Sequence, residues 1–234
     1  MPSLPAVPGV RLATPDDLYR ISIVAAAAFF SSPTFQFQRP FHQDFPADTI
    51  ASYYVQYEAA IKDPLCAVLV TEDTLKVDEA KHVYEALRGA FSCQPSSQQG
   101  IVGICSFQLK PGSSYIDQLQ PRPIVASPAA NRHDVHDLRR DQSAEAIAIY
   151  NEVTHPVKLK YAGLTRFSRG IMTVHLRHLD GNMRLSTLAV APPYWRRGHA
   201  RRLVSFCTRL ADLDNAIIVG TTGVGEQRCS ANKV

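Results

Sequence analysis

Arginines crowd around a single glycine late in this chain: Arg196, Arg197, Gly198, His199, Ala200, Arg201 and Arg202 follow one another without a break. Leu203, Phe206, Cys207 and Leu210 then recur at helical spacing, so a helix with one buried face starts near His199. The first amides of a helix lack internal partners and the macrodipole adds partial positive charge there, so such a terminus holds anions, phosphate above all. Gly198 lets a ligand approach the backbone closely, Ala200 keeps the wall low, and the guanidinium groups offer charge-assisted hydrogen bonds to phosphate oxygens. Taken alone, arginines around a helix start mark a solvated face as readily as a ligand site. The residues before them shift the balance.

Leu185, Leu188 and Val190 sit among β-favouring residues, and Pro192 and Pro193 stop the ladder because neither can donate a backbone hydrogen bond. Residues 184–203 therefore read as strand, turn, helix. An apolar strand end, Leu188-Ala189-Val190 with Pro192, followed by a turn with Gly198 and Ala200 at the two small positions of (Arg/Gln)-x-x-Gly-x-(Gly/Ala), resembles the acetyl-coenzyme A signature of the GCN5-related N-acetyltransferase (GNAT) superfamily. Trp195 departs from the family's usual Gln or Arg, and Arg196 or Arg197 could make that contact instead.

The resemblance implies an α/β (α+β mixed) fold: a central mixed, mostly antiparallel sheet flanked by helices, with helical insertions. It implies acetyl-CoA as cosubstrate, cradled by Arg196, Arg197, Gly198, His199, Ala200 and Arg201, with the backbone of Leu188, Ala189 and Val190 serving the pantetheine amides and the carbonyl oxyanion. The expected reaction is N-acetyl transfer to an amine of a small molecule or peptide. Ser186 or Thr187 falls where many relatives keep an acidic base; neither is a good base, and His175, His178 or a water chain stay open as substitutes. In the family a further helix and strand follow, usually with a tyrosine that protonates the thiolate. Residues 220–234 show no tyrosine and no strand pattern, so weak turnover is expected. The alternative is a catalytically weak or inactive relative that binds CoA or a protein partner.

The bulk properties agree with an ordinary globular domain. With 234 residues, 45% of them hydrophobic, the chain can bury one substantial core, and a single domain over residues 1–234 is expected, with insertions at about 73–99 and 111–155. A net charge of +4, centred on the arginine stretch, is too small to argue for nucleic acid. Five scattered cysteines without a Cys-x-x-Cys pair disfavour a disulfide framework and a zinc site, so no metal and a reducing, cytoplasmic setting are expected, the nucleus included. The most apolar run, residues 21–30, is too short to span a bilayer, so no membrane partner is expected.

The remaining elements must place the central stretch. Residues 10–13 read as a short strand, and Thr14-Pro15-Asp16-Asp17 as the start of a helix reaching about Phe30. Residues 31–46, with Phe35, Phe37, Phe41 and Phe45, look too irregular for an element and either line a pocket or, more commonly, plug the core. Asp48 is expected to cap a second helix that ends before Pro64. Strands at 65–71 and 100–109 should pair, and residues 75–87 read as an inserted helix stopped at Gly89. Residues 111–133 read as flexible, 134–153 as helix with Pro156 opening another, and 171–179 as helix or strand, helix preferred. Residues 216–219 form a short buried strand, and 220–234 an unpacked tail that leaves a sheet edge open for a homodimer.

Overall fold

The computed structural model describes residues 3–91, 98–119, 138–162 and 182–220. Five strands form one sheet in the order of the chain: β1 (Val10–Leu12), β2 (Cys66–Thr74), β3 (Gln99–Gln108), β4 (Asn182–Val190) and β5 (Ile217–Gly220). The first four run antiparallel to their neighbours and β5 runs parallel to β4. Helices cover both faces. On one side lie α1 (Leu18–Phe29), α2 (Pro33–Gln38), α3 (Pro46–Lys62) and α4 (Arg88–Phe91); on the other lies α6 (His199–Leu213), while α5 (Ala144–Ala162) packs beside α2.

Strand alternation divides the core in two. Val68 and Val70 of β2, with Val102 and Ile104 of β3, join α1 and α3, whereas Ala67, Leu69, Cys105 and Phe107 join Leu203, Phe206 and Leu210 of α6. Both faces of the central strands are thus buried, which is why residues 67–70 and 101–107 carry almost no charge. Helix α1 is buried nearly all round because α3 covers the side turned away from the sheet; its Arg20 is neutralised by Glu79, with guanidinium-to-carboxylate distances of 3.0 and 2.9 Å.

Several expectations are corrected. Residues 75–87 form no continuous helix but two 3-10 turns, Glu79–His82 and Glu85–Leu87, with Val83 extended between them and Gly89 inside α4. In this bent path Glu79 reaches Arg20 while Leu75, Val83, Leu87 and Phe91 all enter the core. The phenylalanine segment contains α2, opened by Pro33 at its first turn, and only Phe35 of its rings is buried there. Asp48 does not cap α3, which begins at Pro46; it lies buried in the first turn, where Arg140 donates to it at 2.7 and 3.0 Å. Helix α5 starts ten residues later than expected, because residues 138–143 are held in tertiary bonds and Ser143 accepts from the amide of Ala146 at 3.1 Å; it then continues through Pro156 rather than ending before it. Residues 111–119 are packed rather than flexible, with Tyr115 and Leu119 buried under α6. Strand β5 is an edge with Ile217 69% exposed, not a buried strand, since among the described residues it pairs with β4 alone. The expectations for residues 120–133, 171–179 and 221–234 lie outside the described residues.

Candidate functional site

The expected strand, turn and helix are in place. After Val190 the chain makes a 3-10 turn at Pro192–Tyr194, reverses at Arg196 (φ 62°) and Gly198 (φ 83°), and enters α6 at His199. Both residues occupy the left-handed region, which suits Gly198 and costs Arg196. Among the described residues nothing lies within 4 Å of where a Cβ on Gly198 would stand, so the turn faces open space there. The amide of Arg202 is the first to bond within the helix, to the Gly198 carbonyl at 3.0 Å. Those of His199, Ala200 and Arg201 precede it and have no backbone acceptor among the described residues.

The side chains around the turn are less uniform than their sequence suggests. Arg196 and Arg201 are exposed. Arg197 is tied to Asp73 at the end of β2, at 2.9 Å, and lies over the Tyr194 ring at 5.6 Å. His199 is buried: Asp73 sits 3.1 Å from its Nε2, and Arg202 donates to its Nδ1 at 2.8 Å. That pair of bonds fixes a neutral imidazole with its proton on Nε2. Burial holds the His199 pKa below its ordinary value, and the cations Arg202 and Arg197 add to the effect against the pull of Asp73. Burial would raise Asp73, yet its bonds from Arg197, the Thr74 amide and His199 leave it below the usual carboxylate value. Ala200 packs against the α1 side of the core.

Beneath the turn, Tyr194 is fully buried; its hydroxyl donates to Glu79 at 2.8 Å and accepts from the Lys76 amide at 2.9 Å, while the Lys76 ammonium reaches the Pro193 carbonyl at 3.0 Å. Glu79 thereby links the turn to Arg20 of α1.

The β4 backbone sorts itself by alternation. The Ala191 amide donates to Val102 at 2.8 Å and Val190 stands opposite Gly103. In an antiparallel ladder this turns the N–H and C=O of Ala189 towards β3 and those of Leu188 and Val190 away from it. On that outer side β5 pairs with β4 only as far as Leu185, so the end of β4 is open among the described residues. One group comes to it: the indole Nε1–H of Trp195 donates to the Val190 carbonyl at 2.6 Å.

Ser186 is an extra residue in β4, since Thr187 faces Ser106 and Leu185 faces Phe107. At this bulge the Thr187 hydroxyl lies 2.6 Å from Ser106 Oγ, and the buried Tyr57 hydroxyl of α3 donates to Thr187 at 3.2 Å. Burial pushes the Tyr57 phenol well above its ordinary value. From Tyr57 a row of aromatic rings runs along α3, with Tyr57 and Tyr53 buried: Tyr53 stacks between Tyr57 and Phe29, and Phe30 stacks on Tyr84 at 4.4 Å. Burial lifts the Tyr53 phenol to about 12. At the far end Arg39 lies over the Tyr53 ring at 5.2 Å and pairs with the buried Asp141, which also accepts from Thr49 at 2.8 Å.

Sequence reasoning located the turn and the strand but missed Asp73, Tyr57 and Asp141 as site residues; they lie between positions 57 and 141, far from the turn in the chain. His175 and His178 lie outside the described residues. No group of three or more metal-ligating side chains occurs among the described residues.

No family model matches the chain. Over 215 residues, 91% of this chain and 74% of its counterpart, it is 25% identical to a protein of Stachybotrys chartarum named "Acetyltransferase". A solved structure from Corynebacterium glutamicum, described as histone acetyltransferase HPA2 and related acetyltransferase, superposes with a TM-score of 0.47 and 15% identity over 96% of this chain and 82% of that one. The mixed, mostly antiparallel five-stranded sheet flanked by helices is the fold class expected from the sequence. By sequence the chain is a relative of an acetyltransferase.

Proposed function

We propose that the chain moves an acetyl group from acetyl-CoA to an amine of a small molecule or peptide. The observation that carries this reading is the coincidence, within residues 188–201, of a strand end and a glycine turn that are both open among the described residues. Acetyl-CoA fits the residues present. Its pyrophosphate would meet the amides of His199, Ala200 and Arg201, with Arg196 and Arg201 free to turn towards it and Arg197 shared with Asp73. Its amide-bearing arm would lie along the outward groups of Leu188 and Val190; the Ala189 backbone, engaged with β3, contributes by spacing these two rather than by contact.

In the reaction the amine nitrogen forms a bond to the thioester carbon, the carbon–sulfur bond breaks, and the amine proton leaves as the thiolate gains one. An outward amide of β4 would steady the charge on the carbonyl oxygen. The row of aromatic rings from Tyr57 to Tyr84 would form the acceptor's wall, with Arg39 and Asp141 at its far end. The hydroxyl chain Tyr57–Thr187–Ser106 is the nearest proton path at the bulge.

Incubating a library of amines with acetyl-CoA and the protein, and reading mass, tests this: acetylated product from at least one amine class is expected. A second reading is favoured by one observation. The side chains bonded together at the bulge are hydroxyls, and Tyr57 is held protonated. A relative with such a site binds CoA and turns over weakly or not at all. Calorimetric CoA binding without any acetylated amine would establish that reading and overturn the first.

A further inference from the structure

We infer that Trp195 is a latch on the coenzyme track: its indole N–H holds the Val190 carbonyl until the amide N–H of a pantetheine-type arm takes that acceptor over. This rests on the coenzyme reading above. The Val190 carbonyl is turned away from β3, and on that side β5 pairs with β4 only as far as Leu185, so among the described residues this acceptor faces an open edge. What lies there is the indole, 2.6 Å from the oxygen and itself 53% exposed. A carbonyl can accept a second bond, but the body of the indole stands beside the outward edge along which an extended, amide-bearing arm would pair.

Trp195 is also placed to move. It lies between two anchored points, the Tyr194 hydroxyl network and the left-handed Arg196 and Gly198, and among the described residues its side chain has one hydrogen bond. The chemistry is an exchange of one N–H donor for another on the same oxygen, so no unsatisfied buried group is created in either state. The arm, rather than the nucleotide, is the part of the ligand that the latch senses.

The protein contains one tryptophan, so its emission reports this residue alone. CoA and adenosine 3′,5′-bisphosphate, which lacks the arm, are titrated in parallel by fluorescence and calorimetry. CoA is expected to shift the emission along the calorimetric isotherm, while the bisphosphate binds with no matching shift. Trp195→Phe keeps a ring but removes the donor, and should bind CoA about fivefold more tightly, the equivalent of one ordinary hydrogen bond no longer displaced. CoA heat without an emission change, an equal shift with the bisphosphate, or weaker binding by Trp195→Phe would each overturn the latch and leave the coenzyme reading standing. No heat from CoA with either protein would overturn both.

Discussion

Gly198 carries two demands that separate under mutation. Its backbone sits at φ 83°, where an L residue is strained by roughly 1–2 kcal/mol, yet a Cβ there would touch nothing. Gly198→Ala should therefore lower stability by about that amount in thermal or urea unfolding, through strain alone. Gly198→Glu adds a carboxylate where phosphate oxygens are expected. Losing two charge-assisted bonds of roughly 1.5–3 kcal/mol each corresponds to about a hundredfold or more in affinity. Calorimetric titration of CoA into the folded variant checks it; unchanged affinity would remove the basis for the coenzyme assignment. Arg202 is a different case. It is not an exposed point charge at the ligand but the half-buried donor that holds His199 Nδ1.

At the scale of elements, the start of α6 is tuned by His199 and the turn before it by Glu79. His199 titrates below its ordinary 6.5 in the folded protein, chiefly through burial, so between that folded pKa and 6.5 the unfolded chain binds more protons. Its contribution is complete above 6.5 and is lost as pH falls through the folded value. The melting temperature should drop as pH is lowered from 7 to 5.5, and His199→Gln, which titrates no proton, should flatten that part of the curve; an unchanged slope would show that His199 does not set it. Glu79 is shared by Arg20 of α1 and Tyr194 of the turn, and all three are buried. Glu79→Ala leaves a buried guanidinium without its partner and should cost about 3–5 kcal/mol in unfolding free energy. Since Glu79 tethers the turn, the same variant should weaken CoA binding even at temperatures where it is folded.

Over the whole molecule the sheet separates two tasks. Its α6 face carries the arginine-rich turn, its α1 and α3 face carries the row of aromatic rings, and the end of β4 is where the two meet. Among the described residues no helix is long and apolar enough to cross a membrane. Cys105 and Cys207 are free thiols packed Sγ to Sγ at 3.6 Å across the interface of β3 and α6. Their contact and their burial raise the Cys105 thiol well above its ordinary value, so it is held as an unreactive thiol. Thiol titration of the denatured, unreduced protein should give close to five groups, the full cysteine count; a deficit of four would overturn the reading of unpaired cysteines.

Local regularity made the centre of this protein legible in its sequence. The β-favouring residues of β4, the proline stop, the turn around Gly198 and the 3.6-residue stripe of α6 are signals contained within neighbouring residues, and the structure has each where that pattern puts it. The pairing of β2 with β3 was legible for the same reason, as two continuous apolar runs. Contacts between distant residues were not. Asp73 meets His199 across 126 positions, Tyr57 meets Thr187 across 130, and Glu79 breaks the expected helix at 75–87 because Arg20 and Tyr194 draw it inward. The outward turn of the Val190 carbonyl depends on a register between strands far apart in the chain. Sequence determined the main elements and the place of the arginine-rich turn, because those follow from backbone preferences and spacing. Tertiary packing decided which arginines are free, which histidine proton is fixed and which β4 groups face outward, because each of these depends on a partner that only folding brings near.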